Sequence, residues 1–211
     1  MTPSEQPKGN HSSPFIEVLG EPGDIRLIKP PRLATANDVR ELVQYLKRNP
    51  EGVNLYDVAQ PLKKRIFYPT KIAAYESWGV VNVRRDRIAL TLLGWEFARS
   101  LEPEARAYRD LIKGTALYRG ALTWIQQYDI DLLTQDDLAN YWQNNYSWAL
   151  GCSDEKEVAS VVITFFHLCQ AAELGTLTIG KRGQPGRLRV WRAALSQHFD
   201  FADRHCPKTL A

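Results

Sequence analysis

The chain has few cysteines and no long hydrophobic run, and both absences exclude classes of protein. Its three cysteines are widely spaced, so neither a disulfide framework nor a Cys-x-x-Cys zinc site is expected. No segment approaches the ~18 apolar residues of a membrane-spanning helix. Residues 1–13 are polar and contain no apolar core of a signal peptide. The sequence therefore predicts a cytoplasmic protein without membrane insertion.

Motifs that carry catalysis are also missing. The sequence has no Gly-x-Gly-x-x-Gly, no Gly-x-x-x-x-Gly-Lys-Ser/Thr, no His-Glu-x-x-His and no Gly-x-Ser-x-Gly. His167 and Cys169 come closest to a catalytic dyad, but two residues along a helix point about 200° apart. We therefore predict a non-enzymatic protein with no catalytic residues, no metal site and no cofactor.

Charge is unevenly distributed along the chain, although the net charge is only +3. Between Pro61 and Arg99, eight basic residues stand against three acidic ones, which gives this region a charge of +5. Between Leu101 and Ser160, five basic residues stand against ten acidic ones, which gives a charge of −5. The difference favours a polyanionic partner for the first region and disfavours one for the second.

Hydrophobic periodicity predicts a mainly α fold with small β-hairpins (α+β), in which one order of elements occurs twice. The first copy has three helices, the first capped by Thr35, and then two strands, at residues 35–48, 55–62, 68–78, 80–84 and 87–91. The second copy repeats the order and ends in strands 177–179 and 188–191. Helices followed by a hairpin are the order of a winged helix, so the sequence predicts a tandem winged helix.

This repeat divides the chain into four predicted segments. They are a disordered or extended segment at residues 1–31, a first winged-helix module at 32–101, a helical connector at 102–114, and a second winged-helix-like module with a C-terminal helix at 115–211. The first segment is rich in Pro, Gly and Ser, and much of it buries too little surface to offset its conformational entropy.

Two short segments resemble a known family. Residues 52–59, Gly-Val-Asn-Leu-Tyr-Asp-Val-Ala, and 90–98, Leu-Thr-Leu-Leu-Gly-Trp-Glu-Phe-Ala, are similar to the AAA-associated C-terminal domain behind the ATPase modules of some nitrate/sulfonate-type ABC transporters. The resemblance covers residues 37–190 and lacks the ATPase part, since the chain has no P-loop. It implies a regulatory or adaptor role toward a protein partner, such as an ATPase or transporter component.

The basic residues of the first module have the layout of a DNA-reading winged helix. We expect its third helix to enter the major groove of double-stranded DNA, with basic flanks on the phosphates. Because one short helix reads few bases, a homodimer is expected. The sequence thus favours a DNA-binding, transcriptional-regulator-like protein. The candidate DNA-binding residues are Lys63, Lys64, Arg65, Tyr68, Lys71, Tyr75, Arg84, Arg85 and Arg87.

The second module is predicted not to read a major groove, because its long helix begins with Asp154, Glu155 and Glu157, which would repel phosphates. An aromatic-rich stretch, 141–148, fits core packing or, with one or two exposed rings, a protein-binding hot spot. Two interpretations therefore remain open, a DNA-binding regulator and an adaptor that binds a protein partner. The tip of the second predicted wing is expected to make additional contacts to the DNA backbone, through Lys181, Arg182 and Arg187.

Overall fold

The computed structural model describes residues 30–99, 104–151, 154–181 and 184–199. Within these ranges the chain is a mixed α+β fold, mostly helical, with two small antiparallel sheets of three strands each. The predicted α+β class is confirmed. The predicted N-terminal segment 1–31 lies outside the described residues except for Pro30 and Pro31, and Arg182 of the predicted second wing also lies outside them.

The first half contains four helices and three strands within its described residues. They are α1 Ala36–Lys47, β1 Val53–Asn54, α2 Gln60–Arg65, α3 Pro69–Ser77, β2 Val81–Arg84, β3 Arg87–Leu90 and α4 Leu92–Arg99. Strand β3 is central in the sheet, and β1 and β2 pair with it on either side. Thr35 caps α1, as predicted, and forms a capping box with Asp38.

The second half repeats this order with two additional helices, one before it and one between its second and third helices. Its elements are α5 Glu104–Gly114, α6 Ala116–Gln127, β4 Leu132–Thr134, α7 Gln135–Asn145, α8 Ser147–Leu150, α9 Glu155–Ala171, β5 Gly175–Thr178, β6 Arg187–Val190 and α10 Arg192–His198. Strand β6 is central, between β4 and β5. Each sheet therefore has the last of its strands in the middle.

The second helix of the first half begins later than predicted. Residues 55–58 form turns, and α2 begins at Gln60. The Asn54 side chain accepts a hydrogen bond from the Tyr56 N–H at 2.9 Å, and such a local turn competes with helix formation. As a consequence, the basic residues at 63–65 lie within α2 instead of following it.

Buried side chains from both halves form one continuous hydrophobic core. Helix α5, predicted as a connector, buries Tyr108 and Ile112 completely. The Tyr108 hydroxyl donates to the Ala36 carbonyl at 2.9 Å. Arg109 Nη1 donates to the carbonyl of Ala172 at 3.0 Å. Helix α5 therefore packs the two halves against each other and does not only connect them in sequence.

Candidate nucleic-acid interface

The hairpin of the first half carries three exposed arginines around its tip. Strands β2 and β3 place Arg84 directly opposite Arg87. Arg85 and Asp86, between them, have positive φ angles of 48° and 64°, as in a type I′ turn. A non-glycine residue in this conformation costs about 1 kcal/mol, and like charges in opposed positions destabilise a sheet further. The tip therefore concentrates positive charge in a locally unfavourable arrangement.

Hydrogen bonds of the loop before α2 bring the lysines of α2 close to this tip. The backbone N–H of Leu55 donates to the carbonyl of Asp86 at 2.8 Å. Lys63 Nζ donates to the carbonyl of the next loop residue, Tyr56, also at 2.8 Å. Tyr56 is 72% exposed, and Lys64 on α2 is exposed as well. One short loop therefore connects Lys63 of α2 with the hairpin tip.

Two of the basic residues that were predicted to contact DNA have partners within the first half. Arg65 Nε lies 3.2 Å from Glu41 Oε2 of α1, and Arg87 Nη1 donates to the Glu51 carbonyl at 3.0 Å. Both arginines remain exposed, and an exposed ion pair contributes little free energy. These contacts orient the two side chains without removing their charge from the surface.

Lys71 and Tyr75 of α3, which were predicted to face DNA, point inward. Lys71 Nζ lies 2.7 Å from Asp38 Oδ1 of α1, and the two side chains are only 19% and 11% exposed. Tyr75 is completely buried, and this burial, together with Asp38 and Glu41, raises the pKa of its hydroxyl. Their four-residue spacing does put them on one face of α3, but this face is turned toward the core. Their assignment as DNA contacts is therefore wrong.

The outward face of α3 exposes no basic residue. Pro69, Ala73 and Glu76 are exposed, and exposed Tyr68 directly precedes the helix. Glu76 Oε1 accepts a hydrogen bond from the Val83 N–H at 3.2 Å, which holds a carboxylate between α3 and β2. A carboxylate at this position opposes entry of α3 into a groove lined by phosphates. The remaining basic residues form what we call the α2–wing surface: Lys63, Lys64, Arg65, Arg84, Arg85 and Arg87.

Lys71 is expected to support stability and not DNA affinity. Lys71→Met leaves the Asp38 carboxylate with only the Thr35 backbone and hydroxyl donors. We expect the free energy of unfolding, measured by urea denaturation, to fall by about 1–2 kcal/mol. Adding Asp38→Asn should cost less than the sum of the two single changes. If Lys71→Met leaves stability unchanged but weakens DNA binding, α3 contacts DNA after all.

The second hairpin exposes Lys181 and Arg187, two of its three predicted contact residues. A further basic residue, Arg189, was missed by the sequence reasoning. It alternates along β6 with buried Leu188 and Val190. The alternation of apolar and basic residues along β6 is the sequence signal that predicts an outward position for Arg189.

His167 and Cys169 do not form a reactive pair. Cys169 is completely buried, and burial raises the pKa of its thiol, which disfavours the nucleophilic thiolate. Burial also lowers the pKa of His167, against an opposing effect of Asp38. Across the part of the chain that the structure describes, no group of His, Cys, Asp and Glu side chains is arranged to hold a metal ion. None of the helices described combines the length and the hydrophobicity needed to cross a membrane.

A comparison of the chain with known protein families, with curated proteins and with solved structures finds no match. The resemblance to the AAA-associated domain therefore stays a prediction.

Proposed function

We propose that this chain is a non-enzymatic, regulator-type DNA-binding protein built from two winged-helix modules. In this proposal the α2–wing surface binds the phosphate backbone of double-stranded DNA. The common order of helices and strands in the two halves supports the winged-helix assignment, as does the central position of the last strand in each sheet.

The observation that carries the proposal is the convergence of α2 and the hairpin tip. Leu55 donates a hydrogen bond to the tip, and the adjacent Tyr56 accepts one from Lys63, so the same loop holds both Lys63 of α2 and the hairpin tip. A phosphate bound there neutralises part of the repulsion between Arg84 and Arg87. Charge-assisted hydrogen bonds from guanidinium to phosphate are among the stronger ones in proteins.

The same geometry predicts little discrimination between DNA sequences. Phosphate contacts fix the position of a protein on the duplex, whereas base contacts choose the sequence. The outward face of α3 offers Pro69, Ala73 and Glu76, none of which forms the bidentate pairs with which Arg, Lys, Asn and Gln read bases. Selection of a target site would therefore depend on a second contact, such as a homodimer partner.

The test is a titration of fluorescent duplex DNA at about 50 and 200 mM salt. The variant replaces Lys64, Arg84 and Arg85 with alanine, because all three are exposed and none has an ion pair among the described residues. We expect its affinity to fall about tenfold or more at the lower salt, and its salt dependence to decrease by about two to three released counterions. Two unrelated duplex sequences should give similar affinities.

The matched control replaces Lys113, Arg119 and Lys156, which are also exposed but belong to helices of the second half. It removes the same three positive charges, so a difference in affinity between the two variants reflects where the charges lie and not the net charge. The proposal is wrong if the wild-type protein leaves the duplex unbound at the lower salt. It is also wrong if the two triple variants lose affinity to the same extent.

A second candidate, an adaptor that binds a protein partner, is favoured by one exposed ring. Trp142 of the aromatic stretch 141–148 is fully buried, whereas Trp148 on α8 is 55% exposed. An exposed tryptophan is a frequent anchor of protein interfaces. Stoichiometric capture of one protein by the chain, abolished by Trp148→Ala, would favour this role over DNA binding.

A further inference from the structure

The outward face of the second sheet carries an aromatic and basic stripe along its central strand. Leu188 and Val190 of β6 are buried, so Arg187 and Arg189 point outward. Trp191 continues the alternation: its N–H donates to the Leu174 carbonyl at 2.9 Å, and its ring is 47% exposed. The stripe therefore consists of two arginines of β6 and the tryptophan that directly follows it, at alternate residues.

The neighbouring strands leave this stripe without carboxylates. The register places Arg189 between Leu132 of β4 and Thr176 of β5. It places Arg187 between Thr134 and Thr178 in the next row. Among the described residues, neither arginine has an ion pair. Apolar and hydroxyl side chains thus flank both guanidinium groups.

Three acidic residues beside this sheet are already engaged with other groups. Asp129 and Asp131, which precede β4, both pair with Arg192, whose Nε lies 2.8 Å from Asp131 Oδ1. Asp137 accepts hydrogen bonds from the Thr134 backbone and hydroxyl as part of a capping box. Arg187 and Arg189 therefore keep their charge available for an external anion.

We propose that the stripe Arg187–Arg189–Trp191 binds single-stranded DNA. The two arginines lie about 7 Å apart along the strand, at ~3.4 Å per residue, so they can bind separate phosphates of an extended strand. Trp191, on the same face, provides a surface on which an unpaired base stacks. In a duplex the base faces are covered by their neighbours, so the tryptophan selects a single strand. This site is separate from the duplex-binding surface proposed for the first half.

The test uses the full chain and a fluorescein-labelled oligothymidylate of about twelve nucleotides, within the range of known single-strand sites. We expect Trp191→Ala to weaken binding about tenfold, and Trp191→Phe to retain most of the affinity because it keeps an aromatic face. Replacing Arg187 and Arg189 with alanine should lower the salt dependence by about one to two counterions. Trp148→Ala removes an exposed tryptophan from α8 and should have no effect.

The triple alanine variant of Lys64, Arg84 and Arg85 separates this inference from the proposed function. It should lose duplex binding and keep oligothymidylate binding. If oligothymidylate binding falls with that variant and is indifferent to Trp191, the stripe is not the site, while the duplex proposal stands. If oligothymidylate binds through Trp191 but no duplex binds, the stripe is the single-strand site and the proposed duplex binding is wrong. An absence of oligothymidylate binding at about 50 mM salt also overturns the inference.

Discussion

Replacing Trp142 with alanine is expected to lower the free energy of unfolding by about 3–5 kcal/mol. Trp142 of α7 is completely buried. Its ring packs against Tyr118 of α6, with centroids 6.3 Å apart, and against Phe165 of α9, at 5.7 Å. The substitution leaves a cavity among three helices that cannot all close on it. Urea denaturation followed by circular dichroism measures the loss.

Two other tryptophan variants define what this loss means. Trp142→Phe should cost much less, because the indole Nε1 has no hydrogen-bond partner among the described residues and a ring still fills most of the space. Trp148→Ala should change stability by no more than about 0.5 kcal/mol, since that ring is largely exposed. A loss below about 1 kcal/mol for Trp142→Ala would mean that Trp142 is not tightly packed between α6 and α9.

The same variant tests whether the two halves are independent. Buried residues run without interruption from the first half to the second. Arg32, just before α1, pairs with Glu157 of α9, so the halves are also linked by an ion pair at the surface. We therefore expect Trp142→Ala to unfold in one transition, with the first half destabilised as much as the second. Two separate transitions would instead support the predicted boundary at residues 102–114.

The helices were largely predictable from the sequence, because apolar residues recur in it at helical spacing. The predicted cap Thr35 begins α1 and forms a capping box with Asp38, and Thr134 does the same for α7 with Asp137. Strand β1, of two residues, was not predictable, since it is too short to show an alternating pattern. It is defined by its pairing with β3, which is a tertiary contact.

The candidate site shows the same limit. Spacing places Lys71 and Tyr75 on one face of α3, but it does not say which way that face points. The direction is decided by Asp38, far upstream in the sequence, whose carboxylate binds Lys71. By contrast, the hairpin arginines could be predicted, because a two-residue link between strands always projects its neighbours at the tip.

Gly94→Ala is expected to lower the free energy of unfolding of the chain by about 3 kcal/mol, although alanine is the better helix former by about 1 kcal/mol. A Cβ at Gly94 of α4 would overlap the carbonyl oxygen of Val80 and lie 3.0 Å from Leu90 Cδ2. The Val80 carbonyl cannot retreat easily, because it accepts hydrogen bonds from the Thr91 N–H and hydroxyl. Helix α4 must therefore move away from the sheet.

This displacement connects packing to the proposed interface. Val80 directly precedes β2, so a shift of α4 disturbs the hairpin that carries Arg84, and duplex affinity should fall with stability while oligothymidylate binding persists. Gly114→Ala is the matched control, because a Cβ there meets nothing within 4 Å; it should leave stability unchanged or raise it by up to about 1 kcal/mol. Equal behaviour of the two variants in thermal denaturation would mean that helix propensity, and not the close approach of α4 to Val80, decides the outcome. In that case α4 would not determine the position of the hairpin. Only the hydrogen bonds of the loop before α2 would then hold the hairpin tip close to α2.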